Sequence, residues 1–365
     1  MAGINIQAIE AAYARFMFKH VNAGDRKRLW LKLSKLIGNG VQILQAIDSI
    51  KDRRIAAGGK SHPETIALEA WSAEIRNGAR LSEAMQDWVG IEEMMLISAG
   101  EQSGTMQSAM ESTVRVMESR KQISDALIGG LAYPFVLLLM AFAVLYLFGF
   151  KIVPAFTGVL HGGNWHGIAK AMINVSMFAK NWLWAVGAVF VGLVVLFFAS
   201  LSRFDGPLRI KLDRYVPYSI YRVKQGSTWL IAIAALVEAG LRIETALEQL
   251  SSNASPWLRR RLQECLAGMR SGRNMGESLA RSGYEFPDRE IIDDLGVYST
   301  LSGFDAALAL LGREWLEESV AQIRIKMKVV FGFSILLVGG LVAFMVGGMM
   351  EMQLQLAQML QQSMR

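Results

Sequence analysis

The stretch RIAAGGKSHPE, residues 54–64, contains Gly59-Lys60-Ser61, which is how a phosphate-binding P-loop ends. The complete motif, G-x-x-x-x-G-K-[ST], has a leading glycine and follows a strand, so that backbone N–H groups surround the phosphates. Here Arg54 occupies the position of the leading glycine, and the segment QAIDSIKDRR is charged and helix-like. The pattern favours a flexible connector between two helices. The chain is therefore not predicted to be an ATPase.

Three other groups of side chains have ligand chemistry. An acidic run could bind a divalent cation, although favourable charge at a helix N-terminus explains it more simply; its members are Glu285, Asp288, Glu290, Asp293 and Asp294. His161 and His166, in HGGNWHG, have no acidic neighbours, which favours a polar connector. Cys265 is the single cysteine and is predicted to be a core residue, without disulfide or cysteine-based metal site. No metal, cofactor or enzymatic activity is predicted.

Composition indicates helical domains tethered to a membrane. Of 365 residues, 52% are hydrophobic and 19% are charged, and the mean hydropathy is +0.29. These values are too apolar for an ordinary soluble protein and too polar for a chain made mostly of membrane spans. Seven prolines, and no alternating run rich in Val, Ile and Thr, predict an all-α polytopic membrane protein.

Three uncharged runs are long enough to cross a bilayer, which takes about 20 apolar residues. They are 126–150, 182–201 and 329–350. No span-length run precedes residue 126, so no signal peptide is predicted. Small residues allow close contact between membrane helices, and six glycines are predicted to serve this packing: Gly129, Gly130, Gly339, Gly340, Gly347 and Gly348.

Basic residues near the span ends predict the orientation, because they accumulate on the cytoplasmic side. One side has Arg115, Arg120, Lys121, Arg203, Arg209, Lys211, Arg214, Arg222, Arg313, Arg324, Lys326 and Lys328. The other side has Lys151, Lys170, Lys180 and Arg365. The richer side is predicted to be cytoplasmic, so much of the net charge of +6 reflects topology rather than nucleic-acid binding. The Arg259–Arg261 triplet is interpreted as solvated surface.

The predicted organisation has eight parts. They are an N-terminal amphipathic arm (1–25), a first cytoplasmic helical domain (26–125), a transmembrane helix (126–150), an external periplasmic loop (151–181), a second transmembrane helix (182–201), a second cytoplasmic domain repeating the first (202–328), a third transmembrane helix (329–350) and an external tail (351–365). In the arm, Ile6, Ile9, Tyr13, Phe16 and Met17 recur at helical spacing. This face could lie on a membrane or a partner, or pack on the first domain.

Two parts of the chain repeat the same order of motifs, which indicates a duplicated unit. LSKLIGNGVQILQAIDSI corresponds to AIAALVEAGLRIETALEQL, pairing Gly40 with Gly240. IRNGARLSEAM corresponds to MRSGRNMGESL, pairing Gly78 with Gly272. We predict these four glycines as the structural turns of the repeat. Each copy is expected to form six helices, in the first copy near 26–38, 41–56, 63–77, 80–88, 91–100 and 104–125, ending at glycines.

A third pair of segments, SAGEQSGTMQSAM and YSTLSGFDAALAL, supplies the candidate partner-binding corner. Its residues are Gly100, Glu101, Ser103 and Gly104 in the first copy and Ser302 and Gly303 in the second. The alternative interpretation is a helix boundary at which Ser103 caps the N-terminus of the next helix. Thr300 and Leu301 replace Glu101 and Gln102 in the second copy, so a role for the Glu101 charge would occur once per chain.

This arrangement resembles the inner-membrane platform proteins of type IV pilus and type II secretion machines, the secretion F family. The resemblance covers residues 26–350 and is carried mainly by GEQSGTM, similar to the family's Gly-Glu-x-Ser-Gly-x-apolar signature, and by AYPFVLL at the start of the first span. It implies a non-enzymatic platform in a bacterial inner membrane, with a cytoplasmic N-terminus and a periplasmic C-terminus. The implied partners are a hexameric ATPase, pilin or pseudopilin subunits, other inner-membrane assembly proteins, membrane lipid and further copies of the chain, but no nucleic acid.

The competing interpretation is a small-solute transporter, because internal repeats also build transporters. The three predicted spans contain no Asp, Glu, Lys, Arg or His, whereas transport paths usually contain ionisable groups. The repeated unit is also mostly outside the membrane. These features favour the platform, which is expected to couple the ATPase to the movement of pilins into or out of a fibre, whether a secretion pseudopilus, a virulence pilus or a conjugation-associated pilus.

Overall fold

The computed structural model describes residues 6–159, 165–300 and 303–363, which are helical and contain no strand. The chain divides into two compact units, each formed by two segments. One unit joins Met1–Ile123, here called the first domain, to Ser202–Val320, here called the second domain. The other joins Ser124–Leu201 to Ala321–Arg365 and is called the apolar unit. The all-α class predicted from sequence is confirmed.

The first domain has seven α-helices in its described part, and a π-helix, Met17–Val21, follows the first of them. The seven are α1 (Ile6–Phe16), α2 (Ala23–Gly38), α3 (Ile43–Ala56), α4 (Pro63–Arg76), α5 (Leu81–Ala84), α6 (Ile91–Ser103) and the first part of α7 (Met106–Leu147). The predicted helix end at Gly100 is wrong, because α6 continues to Ser103. Gly100 instead permits close packing, since a Cβ built there would lie 2.3 Å from the Cβ of Ala109.

Tryptophans dominate the interior of the first domain. Trp30 and Trp71 are fully buried and stack with ring centroids 5.8 Å apart and an interplanar angle of 13°. Phe18, also fully buried, meets the edge of Trp71 at 5.8 Å. Large aromatic side chains bury much apolar area for little loss of conformational entropy, so these rings form the centre around which α2 and α4 pack.

The apolar unit contains the rest of α7, then α8 (Val153–Val159) and α9 (Gly167–Arg203). Two described segments are long and apolar enough to cross a membrane, Met106–Gly158 and Ala306–Met359. Within α9, Gly167–Trp182 and Gly187–Arg203 meet at 69° and form a third candidate. The predicted spans 126–150 and 329–350 lie within the first two segments, and the predicted span 182–201 overlaps the bent pair. The stretches predicted as an external loop and tail are largely helical.

The second domain follows with α10 (Pro207–Leu212), α11 (Tyr218–Glu238), α12 (Ile243–Ser252), α13 (Pro256–Arg270), α14 (Met275–Ser282), α15 (Arg289–Tyr298) and the first part of α16 (Phe304–Ser363). Its core centres on Trp229, Trp257 and Phe286, each at most 2% exposed. Cys265 is fully buried in this core. Burial raises the pKa of its thiol to about 12, so it behaves as an apolar core residue.

The four turn glycines adopt the same backbone conformation in both domains. Gly40, Gly78, Gly240 and Gly272 have φ between +82° and +96°, a region in which a Cβ is disfavoured. The N–H of each glycine donates to the carbonyl three residues earlier, as from Gly40 to Ile37. The N–H of the following residue donates to the carbonyl five residues earlier, as from Val41 to Leu36. This is the Schellman motif, which satisfies the last carbonyls of a helix. It ends α2, α4, α11 and α13.

The predicted packing glycines of the apolar unit fall into two groups. A Cβ at Gly130 would lie 2.4 Å from Met327 Cγ, and one at Gly348 would lie 2.6 Å from Met172 Sδ. At Gly130 the Cβ of Met327, at 2.6 Å, leaves no room for a larger residue, whereas at Gly348 the flexible Met172 side chain would have to move. At the remaining four, an added Cβ meets no described heavy atom within 4 Å: Gly129, Gly339, Gly340 and Gly347. It remains a prediction that these four glycines pack against helices, and within this chain they have no such neighbour among the described residues.

Candidate functional site

The predicted partner-binding corner lies where α6 ends and α7 begins. Glu101, half-buried near the end of α6, accepts hydrogen bonds from the backbone N–H of Leu81 at 2.6 Å and of Ser82 at 3.1 Å. The hydroxyl of Ser82 donates to the same carboxylate. These groups form the first turn of α5, where free N–H donors favour a negative charge. Glu101 therefore caps α5 across 20 positions of sequence, a contact that no local pattern indicates.

Ser103 is the last residue of α6, and the interpretation that it caps the N-terminus of the next helix is wrong. Gly104 follows it as the C-cap, with φ +73°. The hydroxyl of Ser103 lies 2.9 Å from the carbonyl oxygen of Ala99 and 2.9 Å from that of Ala239. The hydroxyl has one proton to donate, which either carbonyl can accept, so Ser103 binds the end of α6 or the second domain.

The corner is part of a contact between the two domains. A Cβ at Gly240 would lie 3.3 Å from the Cβ of Ser103. Nearby, Arg115 of α7 forms an ion pair of 2.6 Å with Glu238 at the end of α11. Apolar residues of α6 and α7 enter the second domain's core: Met95, Leu96 and Val116. The sequence signature thus lies at a domain–domain interface as well as near the surface.

In the second copy of the corner, only one of the two predicted residues can be placed. Gly303 is exposed, with φ +90°, directly before α16. Ser302 lies outside the described residues, as do Leu301 and, elsewhere, His161. Thr300 turns its hydroxyl onto the carbonyl of Val297 at 2.7 Å. Thr300, which is neutral, therefore stands in the second domain at the position of Glu101, the residue that caps α5 in the first domain.

Two acids of the predicted acidic run, Glu285 and Asp288, form ion pairs with arginines of the second domain. Glu285 lies 2.9 Å from Arg214 and 2.9 Å from Arg289. Partial burial raises the pKa of Glu285, but the hydrogen bond from Arg214 and the arginine charges outweigh it and hold the pKa below its ordinary value. Asp288 pairs with Arg222 at 3.4 Å. Arginine pairing thus accounts for these two acids, and no set of three metal-ligating side chains occurs within the described ranges.

The arginine triplet is not a uniformly solvated surface, which corrects the sequence-based interpretation. Arg261 is 1% exposed, with its guanidinium 3.9 Å from the ring centroid of Trp257 and 3.1 Å from Asp213. Arg259 donates to the carbonyls of Ser251 and Ser252. Burial lowers the pKa of Arg261, while the charge of Asp213 opposes that shift. The helix turns one of three consecutive arginines inward, where an acid and an aromatic ring receive it.

The first domain has a buried ion pair that the sequence analysis missed. The guanidinium of Arg26 donates two hydrogen bonds, of 3.2 Å and 3.1 Å, to the carboxylate of Glu93. The indole N–H of Trp30 donates to the same carboxylate at 3.0 Å. Arg26 also donates to the carbonyls of Phe18 and Lys19. A bidentate pair with further hydrogen bonds offsets the desolvation of both charges. The sequence signal was a pair of consecutive acids on one helix, which cannot share a face: Glu92 pairs with Arg120, whereas Glu93 is buried.

The N-terminal arm packs on the first domain through a different face from the predicted one. Ala14 and Phe18 are buried, whereas Tyr13 is 61% and Phe16 59% exposed. Arg15 lies over the ring of Trp88 at 5.3 Å. Of the two interpretations of the arm, packing on its own domain is therefore the one that holds for α1 and the residues directly after it. Two of the predicted apolar residues remain on the surface.

Taken together, the structure defines a helical scaffold with long apolar helices and an interdomain corner. The family described as Type II secretion system (T2SS), protein F matches residues 31–154 and 229–351. These ranges make up more than half of the chain and include both the GEQSGTM corner and its counterpart. The chain belongs to this family. The resemblance inferred from sequence is thereby confirmed.

Individual relatives are distant but extensive. The chain is 21% identical over 298 residues to toxin coregulated pilus biosynthesis protein E of Vibrio cholerae, covering 81% of this chain and 86% of that protein. It is 24% identical over 204 residues to type IV pilus assembly protein PilC of Pseudomonas aeruginosa, covering 54% and 53%. It is 24% identical over 219 residues to type II secretion system protein F of Vibrio cholerae, covering 57% and 52%. The chain spans about half the length of the last two.

Proposed function

We propose that this protein is a non-enzymatic inner-membrane platform for the assembly of a type IV pilus. The observation that carries the proposal is the family match across both domains and into the long apolar helices. Toxin coregulated pilus biosynthesis protein E, which is covered over 86% of its length, takes part, by its name, in pilus biosynthesis, whereas the matched type II secretion protein of Vibrio cholerae is covered over about half its length. We base the choice of a pilus over a secretion pseudopilus on that one extensive match, because PilC, also a pilus protein, is covered over about half its length, like the secretion protein.

The platform would connect a cytoplasmic hexameric ATPase to pilin subunits in the bilayer. Extracting an apolar pilin helix from lipid is costly, because each Å² of buried apolar surface is worth about 25 cal/mol. A protein beside the fibre must therefore offer replacement apolar surface and receive force from the motor. The exposed side chains of α7 and α16 provide such surface, including Phe135 at 66% and Leu336 at 76% exposed. Both helical domains would face the cytoplasm, where the ATPase works.

Photocrosslinking in cells tests this proposal at two positions of the full chain. One probe replaces Gln102, exposed beside Glu101, and the other replaces Leu336, exposed beside Gly339. We expect the first to capture a hexameric ATPase and the second a pilin helix. A probe at Lys60, exposed on the connector between α3 and α4, serves as the control for random capture.

The transporter interpretation predicts the opposite result. Neither probe would capture an assembly component above the Lys60 control, and deletion of the protein would abolish uptake of a small solute while fibres still formed. That outcome would overturn the platform proposal. Capture of a pseudopilin in place of a pilin would retain the platform and replace only the type of fibre.

The proposed role of Glu101 in partner contact needs a separate test, because its carboxylate also caps α5. Glu101→Gln keeps an acceptor oxygen for the α5 N–H groups and removes the charge. If the charge contacts the ATPase, this variant lowers ATPase capture while leaving hydrogen-exchange protection of α5 near the wild-type level. If Glu101→Gln and a variant that weakens the cap of α5 lose ATPase capture equally, Glu101 has only a structural role.

A further inference from the structure

Within the chain, the first domain docks on a groove of the second domain. The groove runs between α11 and α12 and is lined by Thr228, Ala232 and Leu250, among others. Met95 from α6 and Arg120 from α7 of the first domain line the same space. A volume of about 220 Å³ remains open there. The contact joins unlike surfaces, namely the α6–α7 face of one domain and the α11–α12 groove of the other.

The first domain has the corresponding groove, between α2 and α3. The turn glycines that follow α2 and α11, Gly40 and Gly240, differ by 200 positions (240 − 40). The same offset relates the lining of the second groove, at 232, 250, 253 and 254, to that of the first, at 32, 50, 53 and 54. In this groove a volume of about 590 Å³ is open, so nothing in the described chain fills it as the first domain fills the other.

The open groove is basic where the filled one is neutral. Lys32, Lys35 and Arg53 line it, and each is exposed, with no ion pair or side-chain hydrogen bond among the described residues. The residues 200 positions further on are Ala232, Ala235 and Asn253, and of these Ala232 and Asn253 line the filled groove. Arg54 also lines the groove and pairs with Glu64. An occupant of the open groove should therefore be acidic.

The second domain carries an exposed surface with the required charge. Its α15 and the start of α16 correspond to the docking elements α6 and α7 of the first domain. They present four exposed acids without an ion pair to any described residue: Glu290, Asp293, Glu314 and Glu317. Gly104 and Gly303 differ by 199 positions (303 − 104), so Glu314 takes the place of Arg115. The counterpart of Glu238 in the first domain is Gly38, and Lys35 of the open groove lies about one helical turn before it. A pair between Lys35 and Glu314 would therefore have the opposite polarity to the Arg115–Glu238 pair.

We infer that a second copy of this chain inserts its α15–α16 face into the basic α2–α3 groove, repeating between molecules the contact that joins the two domains within one molecule. The interface is heterologous, because each copy uses two different surfaces. Such contacts generate closed rings or open filaments rather than simple two-fold dimers. Charge pairs replace the apolar residues of the internal contact, so this association is weaker and salt-dependent.

Cysteine crosslinking of full-length chains in membranes tests which surfaces meet. Cys265 is fully buried, so introduced cysteines report without interference. Lys35→Cys in one tagged chain and Glu314→Cys in a differently tagged chain should form a disulfide between the two tags on oxidation. Lys35→Cys expressed alone should give little crosslinking, because the groove faces α16 of its neighbour and not another groove. Lys60→Cys with Glu264→Cys provides the matched background, since both positions are exposed outside the two surfaces.

Charge exchange then tests the source of the affinity. Lys35→Glu and Glu314→Lys, each alone, should reduce co-purification of two differently tagged chains by roughly tenfold at low salt, since like charges across an interface repel. The double variant should restore most of the association. Circular dichroism of each purified full chain checks folding, and Lys60→Glu with Glu264→Lys controls for the change in net charge.

Three outcomes would overturn the inference. A Lys35→Cys chain that crosslinks to itself as efficiently as to Glu314→Cys indicates an isologous dimer. Loss of association with Lys35→Glu but not with Glu314→Lys assigns the groove to a different acidic partner or to anionic lipid. Association that is unchanged in both single variants places the interface elsewhere. None of these results bears on the platform function, which rests on ATPase and pilin capture.

Discussion

The first and second domains each bury a carboxylate between arginine and tryptophan, yet they do so at unrelated positions. In the first domain Glu93 of α6 binds Arg26 and Trp30. At the positions 199 and 200 further on, the second domain has Ile292 and Gly226. A Cβ at Gly226 would lie 2.4 Å from Pro287 Cβ, so no arginine fits there.

The second domain uses Asp213, which follows α10; the residue 200 positions earlier is Tyr13 of α1, which carries no charge. Arg209 and Arg261 approach its carboxylate at 2.9 Å and 3.1 Å, and Trp257 donates to it at 3.3 Å. The Schellman turns, in contrast, coincide in both domains. Helix ends follow from local backbone requirements and therefore recur, whereas a buried ion pair depends on which distant side chains meet.

Removal of the Asp213 charge should break this comparison most severely. Asp213→Asn removes the buried carboxylate that Arg209 and Arg261 approach at 2.9 Å and 3.1 Å, and removing one partner of a buried pair costs about 3–5 kcal/mol. Hydrogen exchange of the full chain, resolved by domain, should show loss of protection across α10, α11 and α13 with the first domain's α2 and α4 unchanged. Glu264→Gln, at an exposed site of α13, is the control. Equal losses in both variants would mean that the cluster contributes little.

Gly100 should show the next largest effect, since it marks a difference in helix packing. Gly100→Ala places a Cβ 2.3 Å from that of Ala109, and such overpacking costs about 1–3 kcal/mol. The corresponding residue of the second domain, 199 positions later, is Ser299, which already carries a Cβ. Ser299→Ala is therefore expected to be close to neutral. Chemical denaturation of both variants measures the contrast, and similar costs would refute the packing argument.

The helix after the second turn is capped differently in each domain, and this predicts a smaller effect. The start of α5 is capped by Glu101, a residue of another helix, in addition to the local bond from the N–H of Arg80 to Glu83 at 3.0 Å. In α14, Asn274 caps locally by accepting from the N–H of Glu277 at 2.8 Å. Glu101→Ala should cost about 2 kcal/mol, because hydrogen bonds to a charged group are lost. Asn274→Ala should cost about 1 kcal/mol. Exchange rates of the α5 and α14 amides compare the two, and a costlier Asn274→Ala would reverse the assignment.

The sequence predicted those parts of the fold that local patterns determine. Apolar runs located the long helices, and glycines located the ends of α2 and α4, because a left-handed turn residue is recognisable without knowledge of its neighbours. The end of α6 was misplaced at Gly100 since a glycine required for close packing looks the same in sequence as one required for a turn. The inward orientation of Arg261 could not be read from three consecutive arginines.

The candidate site was predictable only in outline. GEQSGTM marked the corner between α6 and α7, but the partners of its residues lie far along the chain. Glu101 meets α5, and Ser103 meets Ala239, which is 136 positions away. Contacts of this kind depend on how whole domains pack. A single sequence therefore shows where unusual residues cluster without showing what they contact.

The smallest expected effect concerns a surface pair that is partly enclosed in one domain and open in the other. Partial burial raises the pKa of Asp48, but hydrogen bonds from Lys51, Ser72 and Arg76 outweigh it and lower the pKa to about 2. The corresponding Glu248 pairs with Arg270 at 3.1 Å on an exposed surface.

Because the pKa of Asp48 is depressed on folding, its ionised form stabilises the first domain above about pH 4, and this contribution is lost as the pH falls toward 2. Asp48→Asn should therefore cost about 1 kcal/mol at pH 6, after allowance for solvent screening, and progressively less toward pH 2. Glu248→Gln should cost little at either pH. Urea denaturation of the full chain in detergent at several pH values measures both differences. A cost of Asp48→Asn that does not change with pH would show that shape and packing, rather than charge, make Asp48 important to its domain.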